Sequence, residues 1–471
     1  MIGTVAAREY TTLMRDGRMK LTVAIVLLML FVALVSAVQR YRDISEERAT
    51  SQALVNAQFA EQGEKNPHAA AHYGIYAFKP VTPLSFFDTG VSSYQGVSVW
   101  LEAHKQNRAE GRPADDMTVL ARFGELTVAY TLQILLPLLI ILLAFPAFAG
   151  EREQGTLRQV MSMGVKSLDL LFGKALGALA AIATTLGPVF LIGVLALLFA
   201  PGGASYLPHA VTLGLVYSLY AVVFLFLTLA VSAALPRAKP VLVAMCGFWA
   251  VTVFVVPRLA ADISRIAYPL PAAVTLQKAI DGDLQSGLDG QSPDAVVAQR
   301  REQTLKLYNA ERVEDLPINF QGMVFSIQEQ LGNEVFDLHF GDLEATLADQ
   351  EGVHELLGLI SPVLPVKLIS MELSGTSLHQ QSAYTRHAEA YRRELIEQMN
   401  QDITFNSKAG EADYRAGPEL WAKVEPYQFD PPGFLASLAT LGPSLMTLLL
   451  WLAAAVSAAV LAARRLKVMV G

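Results

Sequence analysis

Residues 150–174 read GEREQGTLRQVMSMGVKSLDLLFGK, a short charged segment set between two apolar runs, 127–148 and 175–200. A soluble fold has no use for Glu151, Arg152 and Glu153 placed hard against a long apolar run on either side. In a membrane protein the same arrangement is a small loop between two spans, charged because it meets water or another protein.

The composition agrees with the second reading. The 471 residues are 53% hydrophobic and 17% charged, with a mean hydropathy of +0.37, whereas soluble domains run at about 45–50% apolar and about 25% charged. The apolar residues are bunched into long runs, the mark of an integral membrane protein. The single cysteine, Cys246, lies inside such a run. It excludes an intramolecular disulfide, so any domain outside the membrane must hold through its own core. Cys246 itself reads as a small packing residue.

Six segments are long and apolar enough to cross about 30 Å of hydrocarbon at about 1.5 Å per residue. They are 21–38, 127–148, 175–200, 209–233, 241–256 and 437–463, and none contains Asp, Glu, Lys or Arg. The segment 241–256 is the weakest, short and ending at Pro257. The expected fold is an all-α membrane protein of six transmembrane helices, with a large, mainly helical extracytoplasmic domain (258–436) between spans 5 and 6. A smaller extracytoplasmic region (39–125) lies between spans 1 and 2.

Sidedness follows from Lys and Arg near the span ends. With the N-terminus inside, the inner segments 1–20, 149–174, 234–240 and 464–471 hold thirteen basic and five acidic residues. The rest of the chain then holds twenty-three basic and thirty-eight acidic residues. This separation places both termini in the cytosol. Val35-Ser36-Ala37 has the look of a signal-peptidase site, but the apolar run exceeds the usual ~7–15 residues and a long polar segment precedes it, so the segment is read as a span.

Residues 1–20 read as an amphipathic surface helix, with Val5, Tyr10, Leu13 and Met14 on one stripe and Arg8, Arg15 and Arg18 facing phosphate and water. A merely positive flank orienting the first span is the simpler reading. In region 39–125, a polar helix-favouring stretch (41–62) precedes KPVTPLSFFDTGVSSYQGVSVW (79–100), whose aromatics and valines suit a segment near the membrane surface. A charged run, 102–116, leads to the second span. Pro137, Pro146, Gly187-Pro188 and Gly442-Pro443 interrupt the spans as hinges or as tolerated kinks.

Domain 258–436 is large enough for its own core. Its pattern is helical over 293–312, 324–350 and 377–401. In the last of these, Tyr384, Ala388, Tyr391, Leu395 and Met399 trace one face while Arg386, Glu389, Arg393, Glu394 and Glu397 lie largely off it. Pro-rich joints, SPVLP (361–365) and EPYQFDPPG (425–433), separate the helices.

Catalytic signatures are lacking. Gly173-Lys174 is the nearest approach to a phosphate-binding loop, but Leu168 stands where that loop needs glycine and Ala175 where it needs the Mg²⁺-binding hydroxyl. There is no GxSxG elbow, HExxH helix or paired CxxC, so the chain is not expected to be an enzyme. His379 and His387, eight residues apart, and His339 and His354, with acidic neighbours but no ligand spacing, read as solvated or hydrogen-bonded side chains, and no metal centre is expected. With only His209 at a span margin, a proton relay through the spans lacks evident carriers. Energy has to arrive from another protein.

Against that background, Glu151-x-Glu153-x-Gly155-Thr156-Leu157, followed by Gly173-Lys174 at the inner end of the second span, resembles the coupling segment of permease subunits of type-2 ATP-binding-cassette exporters. The N-terminal helix with Glu9 and Arg15-Asp16-x-Arg18 is similar to that family's connecting helix. PLSFFDTGV (83–91) and SPVLPVKLISMELSGTSLHQ…YRRELIEQMN (361–400) resemble a bacterial subgroup whose large outer domain has no assigned function.

The resemblance implies two cytosolic ATPase subunits holding ATP and Mg²⁺, and a second permease subunit, identical or related. It also implies location in the bacterial inner membrane, with lipid contact and no nucleic acid; no cofactor is expected on this chain itself. In this picture Glu151, Arg152, Glu153, Gly155, Thr156, Leu157, Gly173 and Lys174 receive the ATPases' motion, with Glu9, Arg15, Asp16 and Arg18 beside them. Two features depart from the family: a domain of 179 residues occupies the place of small outer loops with re-entrant helices, and Met163-Gly164 replaces a common proline.

Physically, the loop can form a short helix from Thr156 with Glu151 and Glu153 near its N-terminus, where carboxylates gain about 0.3–1 kcal/mol. Leu157, Val160 and Met161 are then available to enter a groove on an ATPase. Two other readings stay open: transmission of motion to an extracytoplasmic partner without substrate passage, and a membrane-embedded enzyme, which has no visible catalytic constellation.

Overall fold

The computed structural model describes residues 1–115, 126–411 and 413–466, and of Arg18 the backbone alone. The end of the charged run 102–116 and the tail with Lys467 lie outside the described residues. The architecture is all-α apart from one three-stranded sheet among the described residues. Six helical stretches are long and apolar enough to cross a membrane: Met19–Ala60, Val128–Glu153, Ser167–Leu198, Gly203–Ala234, Ala238–Ala267 and Gly442–Arg465.

The N-terminal helix α1 (Ile2–Arg15) stops where Asp16 turns extended, at φ −68° and ψ 122°. Helix α2 (Gly17–Ala60) then runs unbroken for 44 residues, a rod of about 66 Å. The apolar span and the polar stretch that follows it are therefore one helix. Next come α3 (Pro67–Tyr73), β1 (Ile75–Phe78), β2 (Ser98–Glu102) and β3 (Lys105–Gln106). The strands form an antiparallel meander with Ile75 opposite Leu101 and Glu102 opposite Lys105. The sheet corrects the expectation for 79–100. Val99 and Leu101 alternate inward on β2 and are buried, so the end of that segment is a strand in a protein core. Its earlier part, with Leu84 and Phe87, does pack on the span helices.

The span region continues through α4 (Val128–Ala144), α5 (Ala149–Glu153), α6 (Thr156–Ser162), α7 (Ser167–Leu198) and α8 (Leu207–Ala234). Leu139, Ile140 and Ile141 of α4, Leu171 of α7 and Val223, Phe224 and Leu225 of α8 form its core. Leu28, Leu191, Leu215 and Val243 stay exposed on its outside, as lipid-facing residues do.

The helix that carries the fifth apolar run does not end at Pro257. Helix α9 (Ala238–Ala250) passes through a single π-helical turn, Val251–Val255, into α10 (Val256–Ala267). Proline has no N–H to give, and the turn leaves the Thr252 carbonyl, five residues earlier, to another donor. Ser361 Oγ supplies it at 2.7 Å.

The large domain comprises α11 (Ala273–Ser286), α12 (Pro293–Tyr308), α13 (Phe320–Leu357), α14 (Val363–Leu373), α15 (Leu378–Asn406) and α16 (Pro418–Trp421). The short α17 (Phe434–Thr440) leads into the last span, α18 (Gly442–Arg465). The expected stripe on 377–401 is buried: Tyr384, Ala388, Leu395 and Met399 are each at most 1% exposed. They share one core with Phe59, Ala71, Ile75, Val99 and Leu101, so residues 39–115 and the large domain share one folded unit. Helix α14 behaves differently. Val363, Val366, Ile369 and Leu373 join the span core instead, seating a short helix of the large segment among the spans.

Candidate functional site

Three segments distant in sequence meet at Lys174. Its side chain is 3% exposed, with Nζ 2.9 Å from Glu9 Oε2 and 2.8 Å from Glu151 Oε1. Phe148 lies below, its ring centre 5.8 Å from Nζ. A buried ammonium costs several kcal/mol unless it is paired, so the two carboxylates hold Lys174 where it is. The approach that allows this depends on glycine. A Cβ at Gly173 would lie 2.5 Å from Val5 Cβ, and one at Gly177 would lie 2.6 Å from the Ala6 carbonyl oxygen. Glycines four apart open a groove on α7, and α1 lies in it. Three of the four stripe residues of α1 thus face their own chain, with Leu13 buried and Val5 and Tyr10 packed on the span core, while Met14 is exposed.

Arg152 and Glu153 turn to the connection between α8 and α9. The Arg152 guanidinium donates to the Ala233 carbonyl at 2.8 Å and to that of Leu235, satisfying carbonyls at the C-terminus of α8. Glu153 Oε1 accepts from Ala238 N at 3.3 Å at the start of α9. Ser232 Oγ accepts from the amides of Phe148 and Ala149 at 3.0 and 3.2 Å and donates to the Phe145 carbonyl at 2.8 Å.

Gly155 holds φ +76° between α5 and α6, the left-handed region that glycine adopts freely. Thr156 Oγ1 closes the turn on the Glu151 carbonyl at 3.1 Å. Leu157 and Val160 point inward and are buried in this chain's own core, because α6 lies flat on the span ends. The face that α6 turns outward carries Gln154, Arg158, Gln159, Ser162 and Met163, all exposed, with Met163 72% so. Arg15 is exposed at the end of α1, and Asp16 caps that helix with its N–H on the Leu13 carbonyl. The side chain of Arg18 lies outside what is described.

The segments 83–91 and 361–380 dock on each other. Val91 N donates to the Thr376 carbonyl at 3.0 Å, Thr376 Oγ1 to the Asp88 carbonyl at 2.9 Å, and Thr82 Oγ1 to the Ser374 carbonyl at 2.7 Å. This contact buries groups that reasoning from the spans alone missed. Asp88, 7% exposed, reaches Gln133 of α4 at 3.5 Å, and Gln133 continues through Tyr217 to Ser370 in steps of 3.1 Å. Burial pushes the Asp88 carboxyl above its ordinary range despite bonds from Ser370 and the Gly90 amide. Glu372, 4% exposed, accepts from Gln380 at 2.9 Å and from Ser377. Carboxylates therefore do lie against the spans, Asp88 delivered by a loop and Glu372 by helix α14, and not by the spans themselves.

Arg392 is fully buried on α15. It bonds Glu389 at 2.8 Å, Glu329 of α13 at 2.9 Å, the Glu102 carbonyl at 3.2 Å, and Asn333. Burial works against its charge, but the two carboxylates outweigh this and hold it above its ordinary value. Glu329 is driven up by burial and more strongly down by His104 and Arg392, ending below its ordinary value. The signal for Arg392 is its place one residue after Tyr391 in the buried stripe, where a charge needs a partner.

Residues 281–430 match a family model described as a domain of unknown function (DUF3526). No curated protein matches the chain.

Proposed function

We propose that the chain is the permease subunit of an ATP-binding-cassette exporter in a bacterial inner membrane, with both termini cytosolic. It pairs with a second permease subunit, identical or related, and is driven by two cytosolic ATPases that hold ATP and Mg²⁺. The observation that carries this reading is Lys174 joined to both Glu9 and Glu151. Through it α1, α5 and α7 form one lever beneath the outward face of α6. An ATPase pressing on Gln154, Arg158, Gln159, Ser162 and Met163 pushes that lever, and α7 carries the movement along its 32 residues.

Arg158→Glu with Met163→Glu changes only exposed side chains. The variant is expected to insert normally, while the ATPase activity of the purified complex loses its dependence on the permease, one lost interface anchor costing about 2 kcal/mol or more. Unchanged activity and unchanged co-purification of the ATPases overturn the reading.

The continuity of α9 with α10, and the seating of α14 in the span core, favour a second reading in which motion passes to the large domain and no substrate crosses. ATP-dependent substrate flux in reconstituted vesicles supports the exporter. ATP-dependent movement of spin labels on the domain, with no flux, supports the mechanical device.

A further inference from the structure

Helix α3 carries His68 and His72 four residues apart, so both imidazoles leave one face. Asn66 caps the helix, its side chain accepting from His68 N at 2.9 Å and Ala69 N at 3.2 Å. His104 reaches the pair from the turn between β2 and β3, held at φ 62°. One ring nitrogen of each histidine lies within 4.8 Å of the other two. The Nε2 atoms of His68 and His72 are 3.1 Å apart, and the three ring centres are 4.6, 5.2 and 5.3 Å from one another.

Neighbours hold the rings in place. Phe325 of α13 stacks on His68 with ring centres 3.7 Å apart and planes 4° from parallel. Glu329 Oε1 lies 2.9 Å from His104 Nδ1 and also accepts the His104 amide. A carboxylate at Nδ1 keeps a proton there and leaves the Nε2 lone pair free, the arrangement found behind metal-bound histidines. Arg392 does not leave a bare charge nearby, since Glu329 and Glu389 neutralise it.

We propose that His68, His72 and His104 bind one divalent cation of borderline softness, Zn²⁺ by preference, with Glu329 orienting His104 and a fourth position open to water or an exchangeable ligand. Tetrahedral zinc with nitrogens at about 2.0–2.1 Å spaces those nitrogens about 3.3 Å apart and the ring centres about 5 Å apart. The three ring-centre distances of 4.6, 5.2 and 5.3 Å and the His68–His72 nitrogen distance of 3.1 Å agree with those spacings. An all-imidazole donor set selects Zn²⁺, Cu²⁺ or Ni²⁺ over Mg²⁺ and Ca²⁺, which prefer oxygen. Through Glu329 the site links α3 and the β2–β3 turn to α13, and it departs from the expectation that the chain holds no metal centre.

The test uses the full-length chain without a histidine tag, purified in detergent, stripped with a chelator and titrated with ZnCl₂ by calorimetry, with elemental analysis of the product. The wild type is expected to take up about one equivalent, and Co²⁺ in its place to give the intense visible bands of a four-coordinate site. His72 is exposed, so His72→Ala folds, and its zinc affinity is expected to fall by roughly 100-fold or more. Glu329→Gln is expected to weaken binding by about 10–100-fold through the orientation of His104. Should Glu329→Gln lose its fold, His72→Ala alone decides. Wild-type protein that stays metal-free, or binds no better than His72→Ala, overturns the proposal.

Discussion

Lys174 Nζ lies 2.8 Å from Glu151 Oε1 and shares its charge with Glu9 at 2.9 Å. Either carboxylate alone still leaves the buried ammonium paired. Glu9→Gln and Glu151→Gln are therefore each expected to cost about 1 kcal/mol, and the double variant about 3–5 kcal/mol, because only then is a buried charge stranded. Thermal unfolding of the four proteins in detergent gives the cycle. Strict additivity of the two single losses shows that Lys174 is not held by the pair.

The groove on α7 makes a second prediction. Gly177→Ala puts a methyl where the Ala6 carbonyl is 2.6 Å away, and that carbonyl is backbone, which cannot swing aside. Gly173→Leu meets the Val5 side chain, whose Cβ would lie 2.5 Å away, and behind it the Ile2 carbonyl at 3.0 Å. Both are expected to lift α1 off α7 and to destabilise by about 1–3 kcal/mol. Gly193→Ala, on the same helix with open space around it, is the control and is expected to be neutral or slightly stabilising. Disulfide trapping between cysteines placed at Val5 and Phe172 reports whether α1 has moved. Equal trapping in Gly177→Ala and in the wild type means that the glycines do not set the approach.

What the sequence made legible here was periodicity and charge. Runs without Asp, Glu, Lys or Arg located the six apolar helices, and the stripe from Tyr384 to Met399 located the buried face of α15. Local pattern cannot report what a residue meets across the fold. Leu157 and Val160 were expected to face a partner, but an apolar residue on a loop helix looks the same whether its groove belongs to another chain or to its own. Pro257 was read as a stop because the π-helical turn before it, and Ser361 Oγ waiting for the Thr252 carbonyl, come from elsewhere. Glu9, Glu151 and Lys174 were each visible as charges near span ends. Their meeting needed the groove at Gly173 and Gly177, and that exists only once α1 has docked.

Arg392 gives a third prediction. It is the fully buried cation that satisfies Glu329 and Glu389 together. Arg392→Met keeps the volume roughly constant and leaves Glu329 with only His104, and Glu389 with only Arg393, as charged partner, with an expected loss of about 3 kcal/mol. Arg392→Lys keeps the charge but cannot reach Glu389, Glu329 and Asn333 at once, and is expected to recover less than half of that loss. Unfolding followed by tryptophan fluorescence measures both variants, since Trp421 sits in the core that α15 joins. Wild-type stability in Arg392→Met counts against a structural role for the cluster.

The last prediction concerns pH. Lys79 donates from Nζ to Gln381 Oε1 at 2.9 Å and is 8% exposed. Burial, helped by the nearby charge of Arg48, lowers it from 10.5 to about 8. Between those two values the unfolded chain binds more protons than the folded one, so stability rises with pH across the window and levels off above it. Below about pH 8 the cost of charging the buried amine is present in full; at ~1.4 kcal/mol per unit it amounts to at most ~3.5 kcal/mol. Lys79→Met removes the titrating group and leaves Gln381 Oε1 without its donor, so its stability at pH 7 changes little or rises modestly. The discriminating readout is the slope: the wild type is expected to gain unfolding free energy from pH 8 to 10.5, and Lys79→Met to gain distinctly less over the same interval. Equal slopes would mean that Lys79 keeps its ordinary affinity for protons in the folded chain, and that the amine reaches water past Gln381.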